Sequence, residues 1–405
     1  MKAKVVFALA IATVLTMPPQ TRGAKCKVLH SFNSGYVPSG SLLLNKKGKL
    51  FGGTYSSVFE LIPQPSGRWK KVVLHNFATQ DGNPWGALIF DREGNLYGTT
   101  SGGPVSNSEV YELHPVTDGW VFSALYTDGA GPGVLLDNAG NIYGEMGPGA
   151  NKYYGAIAEL FPGANGWDYT ALYSSCSQDN CADGFALPAP PVWDDHGNMF
   201  GVTTFGEFNN PQCWNGNGCG VVFEMTPNGD GTWDYYVLHR FASSQTDGQS
   251  PQGGLVRDAA GNFYGTTAHG GPHGHKGGAH GNGIVFKLSP NATGRWTMTV
   301  IYDFPDGCGH GCEPFGDLAF DQAGNLYGAN GGGNATCSGG AYFCGMIYKL
   351  TPQPDGTWKY GAVYKFNGPD GFGPLGVTLD KKGHIYGATT EGGKYNFGVA
   401  FEIIP

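Results

Sequence analysis

Four glutamates stand where the pattern around them does not ask for a carboxylate. The phrase DREGNLYGTT at 91–100 returns as DAAGNFYGTT at 258–267, and in the related copy at 137–146 Glu145 takes the place of the first threonine. Glu207, Glu313 and Glu391 fall in connecting segments rich in glycine. Two carboxyl groups about 5–9 Å apart can serve a glycoside hydrolase as acid and base or as acid and nucleophile. With a Tyr or His as base, the same groups suit a polysaccharide lyase. A sugar also asks for flat apolar faces beside carboxylates and amides, because its C–H face stacks on a ring while its hydroxyls hydrogen-bond. Trp214, inside CWNGNGC at 213–219, is the best such platform, with Trp85, Phe185, Phe315, Phe372, Tyr342 and Tyr395 as further candidates. Each of these rings could instead pack a neighbouring loop.

Eight of the nine cysteines form close sequence pairs, Cys176/Cys181, Cys213/Cys219, Cys308/Cys312 and Cys337/Cys344, leaving Cys26 alone. In an exported chain these read as local disulfides that stiffen loops, each closing a short ring and contributing about 2–3 kcal/mol. Zinc is disfavoured, since the spacings are unequal and none is Cys-x-x-Cys. Cys26 reads as a small buried residue, with pairing between chains as the alternative. The segment HGGPHGHKGGAH at 269–280 sets His269, His273, His275 and His280 near one another as weak metal candidates, but its glycines favour a solvated loop and no metal is expected. Asp-Gly recurs at Asp81, Asp128, Asp183, Asp247, Asp306 and Asp370, which suits turns and could also ring a pore with carboxylates. No nucleophile elbow, phosphate loop or dinucleotide fingerprint occurs, so no cofactor is expected.

The composition narrows the partners. A formal net charge of −8 lacks the basic face that nucleic acid requires. MKAK followed by an apolar run at 5–16 has the charged start and short apolar stretch of a secretory signal peptide, taken as residues 1–24. No lipobox precedes Cys26 and no later stretch approaches the ~18 apolar residues of a membrane span. The expectation is a monomer without a membrane span, secreted or periplasmic, whose partner is an extracellular glycan or protein.

The elements that position these residues follow from repetition. The 405 residues include 69 glycines, well above the typical ~7%, yet apolar residues recur regularly between the turns, so the glycine does not signal disorder. The turn glycines Gly48, Gly94, Gly140, Gly197, Gly261, Gly324 and Gly383 count seven copies at spacings of about 46 to 64 residues, the period of propeller blades. Each copy divides into four strands, a to d. The a–b connection, Asp-x-x-Gly-Asn, is turn chemistry, so its aspartates read as structural. Strand c ends at a proline, and strand d opens with a tryptophan in six copies, Trp69, Trp120, Trp167, Trp233, Trp296 and Trp358. His30, His75 and His239 occupy a strand d position that is Tyr elsewhere, and read as packing residues. The last copy has no strand d, but residues 25–32, KCKVLHSF, match the d strand KVVLHNF at 71–77. The expected fold is therefore all-β, a single domain over 25–405: a seven-bladed β-propeller of four-stranded blades, closed by the N-terminal strand completing the last blade. The a–b turns keep one length, whereas the b–c loops stretch over 205–219, 268–283 and 330–344, so the face carrying the d–a and b–c loops is where binding is expected.

GNLYGTT followed by Gly-Gly and a Val-Phe-x-Leu-x-Pro strand resembles the GloVer tandem repeat of secreted bacterial proteins, over nearly the whole mature chain. The resemblance implies the repeat and its propeller-like fold. The matching residues are turn and core positions, so it implies no chemistry. A more distant likeness to streptogramin-lyase propellers lies at the level of fold. Three readings of function follow: a binding or scaffold propeller for a glycan, a carbohydrate-active enzyme using the loop carboxylates, and a protein-interaction platform.

Overall fold

The computed structural model describes residues 23–78, 81–102, 108–147, 154–211, 213, 216–241, 246–273, 281–291, 294–305, 312–332 and 344–405. Its strands form seven antiparallel sheets, each a blade of four strands in the order a-b-c-d. Blade 2 illustrates the unit, with Asn83–Phe90, Leu96–Ser101, Val110–Val116 and Gly119–Tyr126. In blades 5 and 7 strand a is split, into Gly248–Pro251 with Val256–Arg257 and Phe372–Pro374 with Thr378–Leu379. A short 3-10 turn, Asp179–Cys181, is the helical element among the described residues.

The a–b turn is built by its aspartate. Asp258 Oδ1 accepts the N–H groups of Ala260 and Asn262 at 2.9 Å, and Oδ2 accepts the Asn262 amide at 2.7 Å and the Tyr264 hydroxyl at 2.9 Å. Asp321 holds the same set of donors, and Asp91 differs only in accepting the Gly94 N–H, one residue further on, in place of the first. Burial opposes the charge on Asp194, Asp258 and Asp321, but the donated hydrogen bonds outweigh it and hold these carboxyls below their usual range. The degenerate first copy keeps the turn with Asn45, whose side chain accepts from Lys47 and Lys49 N–H.

Between strands c and d the register slips by one residue at the same place in every blade. The residue left over is aliphatic each time: Leu29, Leu74, Leu125, Leu172, Leu238, Ile301 and Val363. Each packs onto a core cluster, so the bulge turns one extra apolar side chain inward. In blades 1, 2, 3 and 5 the next residue, a His or Tyr, stacks on strand d of the following blade. His75 lies on Phe122 at 4.2 Å between ring centroids, Tyr173 on Tyr235 at 3.9 Å and Tyr302 on Tyr360 at 4.8 Å. The tryptophans join blades in the opposite sense: Trp296 of blade 5 packs on Phe200 of blade 4, and Trp358 of blade 6 on Tyr264 of blade 5. The core is therefore a ring of clusters at blade boundaries, such as Phe200 and Val222 with Phe263 and Phe286.

The ring closes as the repeat requires. Strand Lys25–Ser31 pairs antiparallel with Val399–Ile404, from Lys25 opposite Ile404 to Ser31 opposite Val399. Leu29 and Phe32 complete a buried cluster with Leu50 and Phe59 of blade 1 and Tyr386 of blade 7. Where the other blades place their tryptophan, this strand is preceded by Ala24, packed in the neighbouring cluster.

Candidate functional site

Strand a of each blade lines a central channel. At the mouth on the d–a and b–c loop face, residues from all seven blades enclose a cavity of about 610 Å³, and a second of about 330 Å³ lies below it. Most of the lining is Gly, Ala, Ser and Pro, which leaves the lumen open. Three aromatic rings and one carboxylate break this rule. Counting back from the a–b turn, the sixth residue is Trp85 in blade 2 and Phe315 in blade 6, where other blades carry Ser39, Gln252, glycine or proline. Blades 2 and 6 are three steps apart in the ring, so the two rings stand on opposite sides of the mouth. Trp85 is 44% exposed. Phe205, from the b–c side of blade 4, adds a third aromatic wall.

The fourth residue before the turn is Asp317 in blade 6, where the other six blades carry Ser41, Ala87, Gly133, Pro190, Gly254 and Gly376. Asp317 lines both cavities and so marks the waist between them. Its Oδ1 accepts the Gly254 N–H of blade 5 at 3.0 Å, and its Oδ2 lies 3.5 Å from the Ser41 hydroxyl of blade 1. To reach blade 1 past blade 7, the carboxyl must stand in the lumen. Gly376 clears the way, since a Cβ there would lie 2.3 Å from Ser41 Oγ. Burial pushes the Asp317 carboxyl above its usual range, against the Gly254 and Ser41 hydrogen bonds that favour the charged form. Asp317 was not among the residues expected from sequence. The signal for it is present all the same, as the one charge at a repeat position otherwise filled by uncharged, mostly small residues.

The expected carboxylates are placed differently. Glu145 lies behind Ala186 and Leu187, which line the channel; its Oε2 accepts the Leu187 N–H at 3.1 Å. In blade 2 the residue at this position, Thr99, accepts the Gly133 N–H of blade 3 at 2.9 Å. Glu145 thus makes the same bridge to the next blade with a longer side chain. Burial, only partly countered by the Leu187 and Ala186 N–H groups, pushes its carboxyl up to about 7. Glu207 sits on a loop, but Glu313 and Glu391, expected in loops, lie in strands, Glu313 in strand a of blade 6 (Cys312–Phe320) and Glu391 at the end of strand b of blade 7 (Ile385–Glu391). Glu207 accepts the Asn210 amide at 3.1 Å, Glu313 is exposed with φ +51°, and Glu391 is exposed opposite Phe372.

Of the expected aromatic platforms, Trp85 and Phe315 line the channel mouth. Phe185 packs behind Phe205 with Tyr154 and Phe208, at centroid distances of 5.5, 4.7 and 5.4 Å, so it braces the wall. Phe372 packs against the blade 7 core and borders a smaller surface cavity with Gly393 and Lys394. Tyr395 is exposed, with the Lys394 ammonium 4.9 Å from its centroid. Trp214 and Tyr342 lie outside the described residues, as do His275 and His280. His273 pairs with Asp303, and His269 adjoins Gln249 on the opposing strand. Among the described residues no group of three His, Cys, Asp or Glu could hold a metal.

Of the Asp-Gly aspartates, Asp306 lies outside the described residues and Asp128 is exposed, whereas Asp81, Asp183, Asp247 and Asp370 are hydrogen-bonded close to their own loops. Asp183 is fully buried and accepts the Tyr173 hydroxyl at 2.8 Å and the Ser177 N–H at 2.8 Å. Asp247 holds His239 Nε2 at 2.9 Å, and Asp370 takes the Tyr364 hydroxyl. In blades 3, 4 and 6 the Tyr or His after the bulge therefore anchors the loop that follows. Cys176–Cys181 and Cys213–Cys219 are disulfides on this face; Cys312 and Cys344 are also disulfide-bonded, to partners outside the described residues, and Cys308 and Cys337 lie there too. Cys26 is a free thiol in the closing strand, pushed up to about 12 by burial and by the Asp370 charge, which leaves it protonated and unreactive. At the closure the Lys71 ammonium faces the rings of Tyr36, Phe32 and Phe59 at 4.4, 5.2 and 5.3 Å, and burial lowers it to about 8.

A family model described as the Gloeobacter/Verrucomicrobia repeat matches residues 55–275 and again 110–334. No curated protein matches the chain. Among solved structures, a streptogramin B lyase is similar over 94% of this chain and 97% of its own, at 15% identity and TM-score 0.56. Virginiamycin B lyase from Staphylococcus aureus gives 12% identity and TM-score 0.57 over 94% and 99%. A protein from Lactobacillus plantarum gives 11% and 0.51 over 92% and 99%. At such identities the likeness is one of fold.

Proposed function

This chain belongs to the Gloeobacter/Verrucomicrobia repeat family, and we propose on that premise that it is an exported binding propeller that takes a glycan at its channel mouth. The observation that carries the reading is the 610 Å³ cavity with Trp85 and Phe315 on opposite walls and Asp317 beneath them. Every other blade keeps these positions free of rings and charges, so these residues depart from what the fold alone requires. An exposed indole opposite a phenyl ring offers two apolar faces to a sugar, while Ser39, Thr204, Gln252 and Thr390 around the same cavity supply hydroxyl and amide partners. The disulfides support a working life outside the cytoplasm.

A glycan array tests this reading. At least one oligosaccharide class is expected to bind, with affinity falling tenfold or more in Trp85→Ala protein. An array without hits, or hits indifferent to both Trp85→Ala and Phe315→Ala, overturns it. Incubating the same oligosaccharides with the protein separates binding from catalysis: new reducing ends that vanish in Glu145→Gln protein would make it an enzyme.

A further inference from the structure

We propose that the channel selects glycans bearing a free ammonium group, with Asp317 as the residue that recognises the cation. The proposal rests on the glycan reading above and adds a charge requirement to it. Among the described residues Asp317 has no cationic partner: its contacts are the Gly254 N–H and the Ser41 hydroxyl, both neutral. A carboxylate has about four lone-pair positions, so two direct neutral donors leave capacity unused. Holding such a group in the lumen costs desolvation that neither donor recovers, and an arriving cation would recover it. The walls above suit the same guest. The faces of Trp85, Phe315 and Phe205 carry negative π density, which attracts an ammonium and stacks on the C–H face of the sugar that carries it. A guest that meets the rings at the mouth and the carboxylate at the waist must be a ring-bearing organic cation. Amino sugars with unacetylated nitrogen combine both features.

The probe is a glucosamine hexamer compared with its fully N-acetylated counterpart, titrated calorimetrically at pH 6 in modest salt. The wild-type protein is expected to bind the glucosamine hexamer at least tenfold more tightly. Asp317→Asn should remove that preference while leaving the acetylated hexamer within twofold, and Trp85→Ala should weaken both. Asp317→Ala restores the residue blade 2 carries at this position, Ala87, so this variant keeps the test open if the asparagine form folds poorly. Equal binding of the two hexamers by wild-type protein, or Asp317 variants that keep the preference, overturns the proposal; glycan binding itself then stands or falls on the array. Retention of calcium or sodium by wild-type but not Asp317→Asn protein, with no preference between hexamers, also overturns it and assigns the waist to an inorganic cation.

Discussion

At the scale of single residues, the repeat is most informative where it is broken. Gly201, in strand b, faces the Phe223 ring of its own blade: a Cβ there would lie 2.4 Å from the ring edge. In blade 3 strand c carries Ala158 at the corresponding place, and a Cβ on Gly144 would meet nothing closer than 3.2 Å. Gly201→Ala is expected to cost about 2–3 kcal/mol and Gly144→Ala less than about 1 kcal/mol, as read by urea unfolding. Equal losses would show that the ring can move aside. Glu145, in that same blade, makes a pH prediction. Its carboxyl is raised from 4.5 to about 7, so between those values the folded state binds more protons than the unfolded one. Stability contributed by the protonated form is present below about pH 4.5 and is lost as pH rises towards 7, by an amount of order 3 kcal/mol. Glu145→Gln removes this loss, so its melting-temperature advantage over wild type should grow from about pH 5 to about pH 8. An advantage independent of pH would mean that the carboxyl is not raised. The local signal for Glu145 was legible in the sequence as a departure from Thr-Thr. Its position behind Leu187 was not, because a one-residue motif does not say which side of the blade its side chain bridges.

At the scale of elements, two devices recur around the ring, and only one was expected. The a–b turn was readable because Asp-x-x-Gly-Asn is local chemistry: one carboxylate, its nearest N–H groups and a glycine with φ +83° at Gly261. Asp258→Ala is expected to destabilise by about 1–2 kcal/mol, by analogy with the loss of a helix-capping carboxylate, and Asp258→Asn by less, since an amide oxygen still accepts. The aspartates of blades 4, 5 and 6 are held below their usual range, so their stabilising effect is full above about pH 4 and is lost as pH falls through the depressed values. A stability loss in Asp258→Ala protein that grows rather than shrinks as pH falls from about 7 to about 3, read by urea unfolding, would contradict that sign. The c–d bulge was not readable. Its outline, Val-Leu-His-x-Phe or Leu-Tyr, looks like alternating strand with one apolar residue too many, and only the register against strand c shows that Leu238 or Leu74 is the extra one.

At the scale of the whole molecule, the closing strand decides whether there is a ring at all. Deleting residues 23–31 would remove the strand paired with Val399–Ile404, expose that edge and open the cluster around Phe32 and Leu50. The expected outcome is association or aggregation seen by light scattering, with β-sheet circular dichroism largely kept; a monodisperse, equally stable monomer would argue that closure is dispensable. The sequence by itself determined the blade count, the turn that starts each hairpin, the strand that closes the ring and the face that carries the variable loops. All of these rest on local patterns repeated seven times, so each copy corroborates the others. The tertiary structure alone decided which departures from the repeat converge. Asp317 meets Ser41 across 276 positions of sequence, and Trp85 faces Phe315 across the mouth, because a closed ring brings the first strands of all its blades to one axis. A repeat read along the chain carries no information about distance across that axis.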